Sequence, residues 1–358
     1  MKSALAESVA PVDNAASLHV RPFRDADAAR WDRFVDDAPD ATFFHRAAWR
    51  GIVEEIFGHR CHYLIAEAGD DIRGVLPLAQ TKSALFGHSL VSLPFCVYGG
   101  PLARDRKAED ALIDAAVELG RDLRVEQLEL RNRRPIRASW PRQDLYVTFR
   151  KRIEADADAN MKAIPRKQRA MVRKGMSHGL RGEIDRDADR FFSLYADNVH
   201  RHGTPPLSRR YFARLIETFG DDCEALIVVD ASGRPVSGVM SFYFRDEVLP
   251  YYAGDTSRAR ELAANDFKYW ELMRRACERG VRVFDYGRSK RGTGSYDFKK
   301  NWGFEPSPLA YEHMLYAGQS IPQRNPLNPK YRAFIGVWRK LPRPLVNALG
   351  PMIVRHLG

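Results

Sequence analysis

The chain has 358 residues, 44% hydrophobic and 11% aromatic, which is more length than one ordinary domain takes and enough apolar side chain for two cores. With 57 Lys and Arg against 46 Asp and Glu, the formal net charge is +11, which favours anionic partners such as tRNA, nucleotide-linked sugars, phosphorylated cofactors or an anionic membrane surface without choosing among them. Cys61, Cys96, Cys223 and Cys277 form no CxxC pair and no cluster with histidine at metal spacing, which argues against a disulfide framework or a bound metal.

In chain order, residues 1–17 read as a loose tail, and MKSALAESVAPVDNAAS has no apolar run of signal-peptide type. In 25-DADAARWDRFVDDAP the spacing of Trp31, Phe34 and Val35 predicts a helix closed by Pro39. A second helix is predicted in 46-RAAWRGIVEEIFG, with Trp49, Ile52, Val53 and Ile56 on one side and Gly58 as its stop. Strand, Gly-Asp-Asp turn and strand follow in 61-CHYLIAEAGDDIRGVLPLAQTKS, then a strand running into the double glycine of 88-HSLVSLPFCVYGGPLA. A helix near 106–120 and the strand 125-VEQLELRN come next, and 144-DLYVTFRKRI is expected to close this half.

The second half repeats the order. Helices in 187-DADRFFSLYADNVHRHG and 208-SRRYFARLIETFG precede three strands between Cys223 and Asp255, the helix 261-ELAANDFKYWELMRRACERG and the strand 281-VRVFDYG. This recurrence predicts an α/β (α+β) fold of two similar domains, at 18–158 and 187–318. Between them, 159–186 reads as a basic linker helix entered at Pro165. Its Arg166, Lys167, Arg169, Arg173 and Lys174 form either a solvated face or a positive lip over an anionic substrate.

Chemistry concentrates in 285-DYGRSKRGTGSYDFKKNWGFEP-306. Gly287 to Gly292 has phosphate-loop spacing, but Thr293 and Gly294 stand where such a loop needs its lysine and hydroxyl, and no helix is expected to follow, so ATP hydrolysis is disfavoured. The frame Ser289-x-x-Gly292-x-Gly294 compares with the pyrophosphate loop of coenzyme A-dependent acetyltransferases but lacks its leading Arg or Gln, and a simple turn explains the same glycines. Arg288, Lys290, Arg291, Lys299 and Lys300 interleave with Tyr286, Tyr296, Phe298, Trp302 and Phe304, a mixture suited to anionic and planar groups. No GxSxG elbow is present, which disfavours covalent catalysis through serine.

The block 267-FKYWELMRRACERGVRVFDYGRSKRGTGSYDFKKNWGFEP resembles the closing block of the FemAB family: an acidic residue and glycine at a strand end (Asp285, Gly287), a Phe-Lys pair (Phe298, Lys299) and a further glycine (Gly303). The stretches 43-FFHRAAWRGIVEEIFGH, 73-RGVLPL, 92-SLPFCVYGG and 201-RHGTPPLSRRYF extend the likeness over nearly the whole chain, which is most similar to the FemAB-like proteins associated with exosortase and exopolysaccharide systems. The resemblance implies two tandem acyl-CoA N-acyltransferase (GNAT-like) domains with mixed central sheets flanked by helices. It also implies transfer of an aminoacyl or acyl group, from aminoacyl-tRNA or acyl-CoA, to an amine of a cell-envelope or exopolysaccharide precursor without a metal. By position, Lys299 would stabilise charge at the acyl carbonyl or hold the tRNA terminus, Phe298 would shape the pocket, and Asp285 or Asp297 would serve as base. Arg209, Arg210, Tyr211, Tyr251, Tyr252, Arg288, Tyr296, Trp49 and Tyr98 would line the substrate sites.

The helical hairpin that some members insert in the second domain is missing, which shifts weight towards an acyl-CoA-dependent N-acetyltransferase. A different class, a non-catalytic polyanion-binding or scaffold protein of an exopolysaccharide or protein-sorting system, rests on the net charge and the basic aromatic loop. The Pro-rich basic tail 319–358 lies beyond the resemblance. Its Phe334, Ile335, Val337 and Trp338 beside Arg332, Arg339 and Lys340 make it either a peripheral membrane element or a helix packed on the second domain. No run approaches the roughly 18 apolar residues of a membrane helix, so the expected location is the cytoplasm, or the inner-membrane surface where the tail docks.

Overall fold

The computed structural model describes residues 17–83, 87–316, 321 and 335–356. The expected N-terminal tail therefore lies outside the described residues except for Ser17, as do Arg332 and Phe334. In the first half, Leu18–Pro22, Leu64–Ala68, Asp71–Leu76 and Leu102–Ala103 form a four-stranded antiparallel sheet. A six-stranded sheet follows in the order Arg60–Cys61, Ala79–Ser83, Gly87–Val91, Gln127–Asn132, Ala310–Leu315 and Arg142–Gln143. Helix Arg106–Asp122 seals this half, with Leu112, Ile113 and Ala116 clustered against Leu90, Leu128 and Leu130. Its start is fixed by Asp105, whose carboxylate accepts from the Ala108 amide at 2.9 Å.

The second half is built on a seven-stranded sheet in the order Arg181–Asp185, Cys223–Val229, Pro235–Phe244, Glu247–Asp255, Val283–Lys290, Tyr146–Arg152 and Pro306–Pro308. Gly254 pairs with Gly238 across two of these strands. A Cβ at Gly254 would lie 2.4 Å from the backbone of Leu194 and Tyr195, so the glycine is what lets helix Asp189–His202 lie directly on the sheet. Helices Arg166–Ser177, Ala264–Glu278 and Gly294–Asn301 lie on the opposite face, over Phe149, Val239, Val248 and Phe284. The first half packs on the same side as Asp189–His202, where Phe43 stacks on Phe242 with centroids 4.4 Å apart, beside Phe44 and Trp49. All four rings are buried, so one aromatic core joins the halves.

Several expectations change here. Tyr146–Arg152, expected to close the first half, pairs antiparallel with Val283–Lys290 in the second sheet. In return Ala310–Leu315, expected within the second domain, runs between Gln127–Asn132 and Arg142–Gln143 of the first. The basic linker is two helices, Ala157–Ala163 and Arg166–Ser177, followed by the strand Arg181–Asp185. The strand expected to end at Gly287 continues to Lys290, and a helix, Gly294–Asn301, does follow it, capped by the Thr293 hydroxyl on the Tyr296 amide at 3.4 Å. Short-range propensity could not foresee these pairings, because strand partners are chosen by contacts distant in sequence. All four cysteines are free.

Candidate active site

Glu247–Asp255 and Val283–Lys290 run parallel for two residue pairs only, Glu247 with Val283 and Val248 with Phe284. Beyond them Val283–Lys290 keeps only its pairing with Tyr146–Arg152, so the two strands splay into a wedge, and Glu247–Asp255 carries a bulge that skips Tyr251 between the Pro250 and Tyr252 pairings. A bulge re-aims side chains and frees backbone groups, and here it sits where the two strands part. The chain leaving Asp255 then enters helix Ala264–Glu278 through Ala263, a left-handed residue at φ 54°, and no side chain caps that N-terminus. The helix dipole there favours an anion, with Asp266 already in the first turn.

A second bulge lies on the facing strand. Arg150 pairs with Asp285 and Thr148 with Arg288, so Tyr286 and Gly287 stand opposite the single residue Phe149. Gly287 adopts φ 63°, which a side chain would oppose. The Asp285 carboxylate, fully buried, accepts from the Gly287 amide at 2.7 Å, the Thr148 hydroxyl at 3.2 Å and the Tyr98 hydroxyl at 2.9 Å, and pairs with Arg150 at 3.1 Å. Burial raises its pKa, against the pull of Arg150. Lys299 approaches the same bulge from the other face of the sheet. Its Nζ donates to the carbonyls of Tyr286 at 2.7 Å, Gly287 at 3.2 Å and Arg288 at 3.2 Å. Burial pushes the Lys299 pKa down to about 7, opposed by Asp285 and aided by Arg288, yet three carbonyl acceptors match the three protons of the ammonium form.

The resemblance implied that Lys299 stabilises charge at the acyl carbonyl or holds the tRNA terminus, and that Asp285 or Asp297 serves as base. In the structure the protons of Lys299 are committed to backbone carbonyls, and Asp285 is enclosed by four partners. Both positions hold the shape of the wedge. Phe298 sits at its rim, half-buried, with its ring 5.4 Å from Tyr269 and 5.9 Å from Trp302.

Opposite, the hydroxyl-bearing wall is Tyr251, Tyr252 and Tyr211. Tyr251 donates to the Phe95 carbonyl at 2.8 Å, and Tyr252 and Tyr211 share a hydrogen bond of 2.9 Å. Burial raises all three phenols well above the ordinary value, so they stay protonated; Tyr251 spends its proton on the Phe95 carbonyl, and the Tyr252–Tyr211 pair keeps one proton free. Tyr211 is held by the N-cap of its helix, where Ser208 accepts from the Tyr211 amide at 3.1 Å. Phe95 and Tyr98 belong to the loop 92–100, where Leu93 (φ 59°) and Phe95 (φ 67°) are both left-handed without being glycine. Such strain persists only where surroundings enforce it. Arg131 does so by donating to the Cys96 carbonyl at 2.9 Å, and Tyr311 by donating to the Val97 carbonyl at 2.7 Å.

Other expected residues lie apart. Trp49 is a core side chain, 1% exposed, donating to the Phe43 carbonyl. Arg209 and Arg210 occupy the exposed first turn of their helix and pair with Asp189 and Glu55. Arg288 belongs to the bulge itself, its guanidinium 4.6 Å from the Tyr146 ring and 3.4 Å from the Tyr311 hydroxyl, whereas Tyr296 stands 5.4 Å from Phe149. Asp297 is exposed on the short helix after the loop. Thr148, Arg150 and Tyr311, which complete the geometry, were not singled out from the sequence. Their strands had been placed in the wrong halves, and left-handed Leu93 and Phe95 carry no compositional signal.

Residues 161–300 match the family described as an acetyltransferase (GNAT) domain. The chain is an acyltransferase with a GNAT fold. A solved structure of FemX is similar at 14% identity and a TM-score of 0.62, covering 82% of this chain and 97% of that one. A tandem GNAT protein from the clavulanic acid biosynthesis pathway aligns at 15% identity and a TM-score of 0.52, over 85% of this chain and all of the other (100%). The C-terminal domain of a protein described as a lysylphosphatidylglycerol synthetase, from Agrobacterium fabrum, aligns at 13% identity and a TM-score of 0.54, over 80% and 91% of the two chains. No curated protein sequence matches the chain.

Proposed function

We propose that this acyltransferase is a FemAB-like N-acyltransferase that holds its acyl donor in the wedge between Glu247–Asp255 and Val283–Lys290 and delivers the acyl group to an amine of a cell-envelope or exopolysaccharide precursor. The observation that carries the reading is the parting of these strands after two pairs, flanked by two bulges and followed by an uncapped helix N-terminus. The attacking amine nitrogen forms a bond to the acyl carbonyl carbon, the bond to the donor's sulfur or oxygen breaks, and the ammonium proton leaves with it. This chemistry needs orientation and hydrogen-bond donors at the developing oxyanion more than it needs a nucleophile. Of the Tyr252 and Tyr211 hydroxyls, which share one hydrogen bond, one proton stays free and supplies such a donor, while Asp285 and Lys299 fix the facing strand.

The donor is either a coenzyme A thioester or an aminoacyl ester, and the uncapped start of helix Ala264–Glu278 favours the thioester, because it fits a diphosphate. Exposed Arg166, Lys167, Arg173 and Lys174 on the neighbouring helix add positive charge that serves either donor. The acceptor class rests on the FemAB resemblance. Thermal shift with coenzyme A and with charged tRNA, followed by amine-dependent turnover, tests the reading. Stabilisation by one donor with turnover on an amine is expected; absence of both with every donor overturns it.

A further inference from the structure

The helix Arg343–Val354 packs one side onto the body of the protein. Val346 is fully buried, and a Cβ at Gly350 would fall 2.4 Å from Pro206. The helix also reaches the first half, where the Arg355 carbonyl meets His59 Nε2 at 2.7 Å. The segment is thus part of the folded body, as one of the two alternatives for the tail expected. Its outward side is the unusual one. Leu345, Leu349 and Met352 are exposed by 43%, 38% and 64%, with the exposed Ala348 between them, at the spacing of one helical stripe. Val337, 64% exposed, precedes them. Among the described residues, four of the five exposed large apolar side chains fall in this short stretch.

The charged residues carried by the segment itself are of one sign. After Glu312 the chain contains no Asp or Glu, and Arg339, Lys340, Arg343 and Arg355 are the charged residues of 335–356. Arg343 is paired with Asp197 of the body, which leaves Arg339, Lys340 and Arg355 as the cations beside the stripe, and an apolar stripe beside such cations complements a bilayer surface rich in anionic headgroups. No described helix is long and apolar enough to cross a membrane, so contact is interfacial. We infer that Arg343–Val354 docks the enzyme on anionic phospholipid, with Leu345, Leu349 and Met352 in the acyl boundary and Lys340 and its neighbours on the phosphates. This surface stands apart from the transfer wedge and goes beyond the proposed reaction.

The test is co-sedimentation of the full chain with phosphatidylcholine vesicles, with and without phosphatidylglycerol, beside the triple variant Leu345→Asp, Leu349→Asp, Met352→Asp and the variant Lys340→Glu. The changed residues are exposed, so a matching melting temperature verifies the fold. We expect binding that depends on phosphatidylglycerol, weakens with salt, falls at least about tenfold in the triple variant and less in Lys340→Glu. Failure of the wild-type chain to bind these vesicles overturns the inference, as does undiminished binding of the triple variant. Concentration-dependent self-association that the triple variant abolishes, without vesicle binding, assigns the stripe to a second copy and overturns it equally. Transfer to soluble amines stays unchanged in the triple variant, so failure here is distinct from failure of the catalytic proposal.

Discussion

Lys299 and Asp285 grip one bulge from opposite faces of a sheet. The lysine collects the carbonyls of Tyr286, Gly287 and Arg288, and the aspartate takes the Gly287 amide between them. Lys299→Met leaves three inward carbonyls without a donor and should lower stability by about 3 kcal/mol, with turnover lost in parallel. Lys299→Arg should not restore it, since a planar guanidinium cannot converge on three carbonyls around one point. Urea unfolding of both variants is the measurement; a Lys299→Met protein as stable as wild type but inactive would return the lysine to direct catalysis.

Gly287 tests the bulge from the backbone side. Nothing lies within 4 Å of the position a Cβ would take, so Gly287→Ala meets no steric wall and its cost is conformational. About 1–2 kcal/mol is expected from the φ of 63°. Gly287→Val should cost more, because β-branched residues tolerate that region least. Equal stabilities for the two variants in denaturant titrations would contradict the geometry.

The tyrosine wall is where a change should affect rate more than stability. Tyr252→Phe keeps the ring and removes one hydroxyl of the Tyr252–Tyr211 pair, so kcat should fall on the order of 100-fold, as removed oxyanion donors do, while stability drops by about one hydrogen bond, ~1 kcal/mol. Steady-state kinetics decide: a rise in KM at constant kcat would make the hydroxyl a ground-state contact only.

Acid sensitivity should trace to His45. Its Nδ1 accepts from the Thr42 amide at 3.1 Å and its Nε2 lies 3.0 Å from the Gly100 carbonyl, so the proton belongs on Nε2. Burial lowers the pKa from 6.5 to about 4, with Arg133 adding and the Gly100 bond opposing. The unfolded chain therefore binds a proton that the folded chain refuses between these values. Stability is full above pH 6.5 and declines as pH falls to about 4, by about 3 kcal/mol in all. Asp27, held down to about 2 by Arg21, adds its own loss only below its ordinary value of 3.8. Melting temperatures from pH 7 to pH 4 should lose this upper limb in His45→Gln.

Much of the architecture was legible because helix faces follow local rules. Trp31, Phe34 and Val35 are buried as their spacing requires, and the repeated order of elements pointed to two similar halves. What escaped was pairing between distant segments: the ladder between Tyr146–Arg152 and Val283–Lys290 is fixed by neither segment alone. The site was legible in part. Tyr98 does meet Asp285 and Tyr211 does meet Tyr252, yet side-chain identity could not say that Lys299 spends its protons on carbonyls. Arg209 and Arg210 were drawn in by adjacency to Tyr211, although consecutive helical residues point in different directions.

The exchange of Tyr146–Arg152 and Ala310–Leu315 makes the halves inseparable in practice. Cutting the chain near residue 158 would take from each of these two sheets the strand next to its edge, leaving the edge strand without its neighbour and exposing unpaired edges that invite aggregation. The six-stranded sheet is incomplete until Ala310–Leu315 has found Gln127–Asn132, a pairing distant in sequence, which slows folding relative to a string of independent modules. Two interlocked copies also share one fate under denaturant: a single cooperative transition is the natural behaviour of a duplication that has traded strands.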